Sequence, residues 1–272
     1  MTIDGKKMAE EIKTELKAET LKLGKKLRLA VVKVGGDKVM EKFLEQKKRF
    51  GSTVGVDVRI YELPENISTN QLRKKLAEIV HIKENTGVII QLPLPTQINT
   101  QYILDAIIPE KDPDMLSSKS IGLFASGRSR ILPPVVGAIK YIFDKNNIDV
   151  KGKAVTVIGA GRLVGKPATA WLINLGAVVT VLDENTSDAS RFTLQADVII
   201  SGAGKPNLIN ADMVKEGVVA IDCGTSESEG KVVGDLDHAI SKKASLFAPV
   251  PGGVGPLTVA MLFKNLLELA QK

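Results

Sequence analysis

"IGAGRLVGKP", residues 158–167, is the stretch on which the reading of this chain turns. It follows the apolar run Ala154-Val155-Thr156-Val157 and leads into Ala168-Thr169-Ala170-Trp171-Leu172. An apolar strand, a glycine corner and a helix in that order make a βα unit. Gly159, Gly161 and Gly165 form G-x-G-x-x-x-G, one residue longer than the common G-x-G-x-x-G spacing. The first glycine permits a tight turn, the second lets backbone approach a phosphate, and the third lets the helix pack close on the strand. The helix start then offers N–H groups and a positive dipole end to an anion. A glycine turn is also ordinary punctuation, so the next strand carries weight. Ala177 to Leu182 ends in Asp183-Glu184, and Asp183 stands 24 positions after Gly159. An acidic side chain there can accept hydrogen bonds from a ribose 2′-hydroxyl. The corner reads as a dinucleotide site built from Gly159, Ala160, Gly161, Arg162 and Gly165, with Asp183 and Glu184 at the ribose. Ser201 to Pro206 and Asp222-Cys223-Gly224-Thr225 end the next two strands, where such sheets line their ligand cleft.

Outward from the corner, strands and helices alternate. Strands are expected over 154–158, 177–182, 197–201 and 218–222, and earlier over 28–34, 56–61 and 87–92. Ile3, Met8, Ile12, Leu16 and Leu21 recur at helix spacing, with Asp4 as N-cap and Gly24 as stop. Ser68 opens a helix through Leu72, Leu76 and Ile79, and 256–271 forms a last one. The region 109–134, with Pro109, Pro113, Pro133 and Pro134, reads as irregular. The fold class is α/β: two α/β domains around a cleft, the second a Rossmann-like dinucleotide-binding domain. The expected boundaries are 1–135 plus 250–272 for the first domain and 136–249 for the second.

Composition removes several function classes. No apolar run reaches the ~20 residues of a membrane span, and Met1 to Lys6 lacks the apolar core of a secretory signal. A single cysteine, Cys223, cannot form an internal disulfide and suits a reducing compartment, so a cytoplasmic protein is expected. Cys223 reads as a small buried residue rather than a nucleophile. The net charge is +6, but at 4% aromatic residues the chain has little of the basic–aromatic interleaving that nucleic acid requires. His81 and His238 have no metal-type neighbours at a recognised spacing, and no metal is expected. Chemistry then falls to Lys, Asp and Gln.

Three stretches outside the corner need a reason. "GVIIQLPLP" (87–95) puts polar Gln91 at the mouth of a buried strand. "PEKDPDM" (109–115) carries the aspartates Asp112 and Asp114 in a proline-bent loop. "APVPGGVGPLT" (248–258) sets paired glycines before a helix. With Val232-Val233-Gly234-Asp235 and Gly204-Lys205-Pro206, these motifs resemble the bifunctional methylenetetrahydrofolate dehydrogenase/methenyltetrahydrofolate cyclohydrolase family over nearly the whole chain. The resemblance implies an enzyme of one-carbon metabolism and purine biosynthesis, a homodimer, with a tetrahydrofolate derivative as substrate on the N-terminal side and NAD or NADP on the other. Position by position, it places the family's catalytic lysine on Lys47, its tuning glutamine on Gln91 and its pterin-binding aspartate on Asp114. Phe43, Pro251, Gly252 and Gly253 fall on substrate-binding positions.

The chain also departs from the family. Phe43 stands where a tyrosine is usual, and Lys38-Val39-Met40, Met115-Leu116-Ser117 and Leu132 to Val135 replace other familiar stretches. A lost hydroxyl bears on proton transfer more than on alignment, so the changes weigh on the cyclohydrolase half. At the corner, Ala160 stands where NADP-using members have arginine, and Asp183-Glu184 where they have His-Ser. Carboxylates repel a 2′-phosphate, which favours NAD, while Arg162 is a cation that can swing in and compensate. A dehydrogenase without cyclohydrolase activity, and a binding protein that has lost catalysis, stay open as alternatives. A two-domain dehydrogenase resembling shikimate dehydrogenase fits the glycine corner but not Gln91-Leu92-Pro93-Leu94-Pro95.

Overall fold

The structure is a computed structural model that describes residues 1–36, 38–228 and 231–271. The chain divides into two compact units, Glu10–Pro134 with Val259–Lys272 and Met1–Ala9 with Val135–Thr258. Residues 1–9 and 250–258, expected with the first domain, belong to the second unit. The reason is backbone pairing: Ile3 N–H donates to Phe247 O at 2.8 Å, and Gly5 N–H to Gly252 O at 2.8 Å.

The first unit contains most of α1 (Gly5–Leu23), then β1 (Leu27–Val34), α2 (Lys38–Val54), β2 (Val56–Leu63), α3 (Thr69–His81), β3 (Gly87–Ile90), α4 (Thr100–Leu104) and α5 (Ser118–Ala125). Its sheet is parallel with order β2-β1-β3, so β1 is central, and Leu29, Ala30, Val31 and Val32 are all fully buried. A strand covered on both faces needs that unbroken apolar run. Asp4 caps α1 by accepting from Lys7 N–H at 3.0 Å, and Gly24 ends it at φ +64°. Ile12, Leu16 and Thr20 form its buried stripe, whereas Leu21, expected inward, is 74% exposed. Ser68 and Gln71 make a reciprocal capping box at the start of α3, which buries Leu72, Leu76, Ile79 and Val80. The region read as irregular holds α5, which Ser117 caps by accepting from Ser120 N–H. One short helix signal was hidden there among the prolines.

The second unit follows with α6 (Pro134–Lys145), β4 (Ala154–Ile158), α7 (Gly165–Asn174), β5 (Val178–Leu182), α8 (Ser190–Thr193), β6 (Val198–Ser201), β7 (Val219–Asp222), the antiparallel pair β8 (Ser226–Ser228) and β9 (Lys231–Val233), β10 (Leu246–Ala248) and the start of α9 (Val254–Ala270). Five parallel strands run in the order β10-β7-β6-β4-β5. The chain enters at β4, steps outward to β5, then returns to β6 on the other side. The topological switch point therefore lies between β4 and β6, where open α/β sheets bind ligands at the carboxyl ends of their strands. The short strands β8, β9 and β10 carry too few alternating residues to be read from sequence alone. No helix among the described residues is long and apolar enough to cross a membrane.

Candidate active site

In the first unit, α2 carries Phe43 and Lys47 one turn apart, hence on one face. Further along, that same face buries Phe50 and Val54, with Leu44 buried beside it, and Phe50 stacks on Phe263 with ring centroids 5.0 Å apart. Packing thus fixes which way Lys47 points. Lys47 Nζ donates to Gln91 Oε1 at 2.9 Å. Gln91 is nearly buried at the carboxyl end of β3; its N–H bonds to Val32 O and its Nε2 donates to Leu92 O at 3.1 Å. That second bond fixes the amide so that its oxygen faces the lysine. Burial lowers the pKa of Lys47, and the nearby Asp114 carboxylate opposes the shift. Burial raises Asp114 from 3.8 to about 6, with Lys47 pulling it down and Asp112 pushing it up. The structure thus brings Lys47, Gln91 and Asp114 together.

The loop that presents Asp114 is held at three points that sequence reasoning missed. Lys111 Nζ donates to Val80 O and Ile82 O, at 2.7 and 2.8 Å, closing the end of α3. Asp112, 1% exposed, accepts from Leu116 and Ser117 N–H. Asn265 Nδ2 donates to Pro113 O at 2.8 Å and Leu132 O at 2.7 Å. Met115 follows at φ +60°, an unfavourable conformation for a side-chain-bearing residue. Such strain persists only where the surroundings over-determine it. The four-residue run Lys111 to Asp114 was visible in the sequence, but only its last member showed a chemical purpose. Phe43 is 43% exposed, its ring available to a flat ligand.

In the second unit, the glycine corner is built as its spacing suggests. Gly159 has φ +93°, and a Cβ there would meet Gly202 O at 2.6 Å. A Cβ on Gly165 would run into Gly159 O, far inside any allowed contact. The helix start α7 therefore sits directly against the corner. A Cβ on Gly161, by contrast, would meet nothing within 4 Å. That open side is what a phosphate approaching backbone requires, and the residues present fit a dinucleotide. Gly159, Gly202 and Cys223 N–H each donate to the neighbouring strand, at 2.8 Å to Leu182 O, Ile158 O and Ser201 O. The three loops thus leave the sheet in step. Asp183 is exposed at the end of β5; its carboxylate accepts from Asn185 N–H at 3.0 Å and Nδ2 at 3.3 Å. Glu184 and Thr225 are exposed, and Arg162 is partly buried with an Nη1 that has no hydrogen-bond partner. Burial and the nearby Asp222 and Asp235 push the Cys223 thiol up, which does not suit a nucleophile. Pro251 is exposed, Gly252 has φ +97°, and Gly253 lies where a Cβ would meet Pro249 O.

Comparison with known proteins agrees with both halves. Residues 3–114 match the tetrahydrofolate dehydrogenase/cyclohydrolase catalytic domain, and residues 133–272 the NAD(P)-binding domain of the same family. The chain is 44% identical over 280 residues to the bifunctional protein FolD of Nautilia profundicola, covering 100% of this chain and 98% of that one. The crystal structure of the bifunctional FolD methylenetetrahydrofolate dehydrogenase/cyclohydrolase from Campylobacter jejuni matches with a TM-score of 0.96 at 38% identity, covering 100% and 98% of the two chains. The Trypanosoma brucei FolD structure, complexed with NADP cofactor and inhibitor, matches at 0.94 and 30% identity, covering 100% and 97%. The chain belongs to the tetrahydrofolate dehydrogenase/cyclohydrolase family, as a methylenetetrahydrofolate dehydrogenase/cyclohydrolase that uses a nicotinamide dinucleotide.

Proposed function

We propose that Lys47 is the acid/base of methenyl hydrolysis, Gln91 its positioning partner, and Asp114 the acceptor for the donor edge of the pterin. The observation that carries this is the Lys47–Gln91 hydrogen bond beside a carboxylate with a raised pKa. Oxidation of 5,10-methylenetetrahydrofolate leaves a delocalised methenyl cation. That step needs alignment more than a strong acid or base. The bound dinucleotide supplies the hydride acceptor. Water attack on the methenyl carbon, followed by ring opening to 10-formyltetrahydrofolate, does need a proton removed and returned. A lysine whose charge is disfavoured by burial can do both, and in its neutral form it does not repel the cationic substrate. Phe43 offers its ring to the pterin from one turn before Lys47, and needs no hydroxyl for that. Pro251, Gly252 and Gly253 are assigned to folate binding with them.

The preferred dinucleotide in this reading is NAD. Ala160 brings no cation to the corner, and Asp183 keeps lone pairs for a ribose hydroxyl beyond those held by Asn185. Gly159, Gly161 and Gly165 form the phosphate turn, with Arg162, Glu184 and Thr225 around it. We further assign a cytoplasmic homodimer. Edge strand β5 and the adjoining α7 expose Ile173, Leu175, Val178 and Val181, apolar surface of the kind a second subunit covers.

One assay tests the chemistry. Purified protein receives methylenetetrahydrofolate with NAD or NADP, and methenyl formation and decay are followed separately. NAD is reduced faster, and Lys47→Ala stops the decay. No hydride transfer to either dinucleotide refutes the enzyme, equal or better kinetics with NADP refute the cofactor choice, and hydrolysis persisting above the uncatalysed background in the variant refutes the role of Lys47. Sedimentation of the purified chain as a monomer refutes the dimer.

A further inference from the structure

The sequence motif Val232-Val233-Gly234-Asp235 has no part in the reactions above, yet it ends on a carboxylate with no exposure at all. Asp235 Oδ2 accepts from the Ser201 hydroxyl at 2.7 Å and from Ala203 N–H at 2.6 Å, and Oδ1 accepts from Lys205 N–H at 2.9 Å. The donors lie at the end of β6 (Ser201) and in the loop that follows it (Ala203 and Lys205). A second fully buried carboxylate, Asp222, holds Asp235 in turn. Its Oδ1 accepts from Gly224 N–H at 2.9 Å and Asp235 N–H at 3.1 Å, and its Oδ2 from Leu236 N–H at 2.9 Å. The space is made by glycine: a Cβ on Gly224 would strike the Asp235 carboxylate, and one on Gly234 that of Asp222.

We infer that Asp235, held by Asp222, is the positioning residue that shapes the Ser201–Lys205 loop for the dinucleotide. Burying two carboxylates side by side costs stability unless their oxygens are fully used. Here the six hydrogen bonds they accept all go to the ends of β6 and β7 and to the β9 exit. The loop they hold is one wall of the switch point, because Gly202 O is the atom against which Gly159 must lack a Cβ. The chain of contact runs from Asp222 to Asp235, to the 201–205 loop, to the glycine corner. Asp235 does not itself touch the reacting atoms. This inference rests on the reading of the second unit as the dinucleotide site.

The test is Asp235→Asn. The amide keeps the size and one acceptor but turns a donor toward an N–H that needs an acceptor. The KM for the dinucleotide should rise about tenfold, with kcat at saturation changed less than about threefold. Methenyl hydrolysis, which uses Lys47 and no dinucleotide, should be unchanged. An unchanged dinucleotide KM in the folded variant, or a parallel loss of hydrolysis in it, overturns the role. If Asp235→Asn does not fold, Ser201→Ala carries the test, because it removes one donor and leaves both backbone bonds. Its dinucleotide KM should rise about threefold, and an unchanged value overturns the proposal. The wild type is run alongside. Failure to saturate with either dinucleotide would overturn the reading of the unit itself, a result distinct from an unchanged KM in the variants.

Discussion

Asp114→Asn should make the protein more stable and less active at once. The carboxyl has a pKa of about 6 in the folded chain against 3.8 as its ordinary value, so the folded state holds the proton more tightly than the unfolded state. Below about pH 4 both states are protonated and the group does not affect stability. As the pH rises toward 6 the unfolded chain ionises first, and stability is lost. Above about 6 the deficit is complete, at about 3 kcal/mol from about 1.4 kcal/mol per pKa unit. Asparagine removes this deficit but also removes the charge that favours protonated Lys47, which takes part of the gain back. A net gain of about 1–2 kcal/mol is expected, or about 3–6 °C in Tm for a domain of this size. Activity should move the other way. Losing charged acceptance from the pterin costs about 1.5–3 kcal/mol, hence about 10- to 150-fold in kcat/KM for the folate. The assay is thermal unfolding of both proteins from pH 4 to 8, with folate kinetics at pH 7.5. The reasoning fails if the variant is no more stable at pH 7.5, or if its advantage does not shrink toward pH 4.

Gly165→Ala places a methyl against Gly159 O and should cost at least about 3 kcal/mol of stability. Gly161→Ala enters open space, so it should leave Tm unchanged and raise the dinucleotide KM; equal Tm losses for the two would refute the division of labour at the corner. Ala160→Arg should improve kcat/KM for NADP at least about tenfold while changing NAD use little, since it restores a cation for a 2′-phosphate; unchanged NADP kinetics would count against the NAD assignment. Arg162→Ala should reduce NADP use more than NAD use if that side chain turns outward to the 2′-phosphate, which would also satisfy its unpartnered Nη1. An equal loss with both dinucleotides would place Arg162 on the pyrophosphate instead.

The elements legible in the sequence were those whose ends carry their own chemistry. Ser68 with Gln71, Asp4 with Gly24, and the glycines after β4 mark boundaries by local rules, and the structure places helix ends and turns there. Leu21 shows the limit of a periodic stripe. It stands five positions after Leu16, off the i, i+4 spacing, whereas polar Thr20 continues the spacing of Ile12 and Leu16 and is the residue that is buried, so reading apolar types alone picked the wrong neighbour. Residues 1–9 show another limit. Their place is set by hydrogen bonds to residues around 247 and 252, and no local pattern reports a partner so distant in sequence.

Residues of the site divide in the same way. Lys47, Gln91 and Asp114 lie far apart in the chain, and each alone reads as ordinary, since a helix lysine is usually solvated. Motif resemblance joined them, and the Lys47–Gln91 bond supplies the physical reason. What stayed hidden was the support. Lys111, Asp112 and Asn265 spend their polar groups on backbone, so nothing in their types distinguishes them from surface residues. Asp222 and Asp235 are more telling. A carboxylate at the end of an apolar strand reads as a ligand contact, but both are wholly buried and bond only to Ser201 and backbone N–H groups. A buried charge surrounded by donors rather than by a cation has one structural use: it holds several N–H groups in one geometry. At the carboxyl ends of these strands, that geometry is the shape of the loop facing the glycine corner. The acidic residues of these strand ends are therefore of two kinds, and burial separates them: Asp183 is exposed, whereas Asp222 and Asp235 are buried and hold backbone.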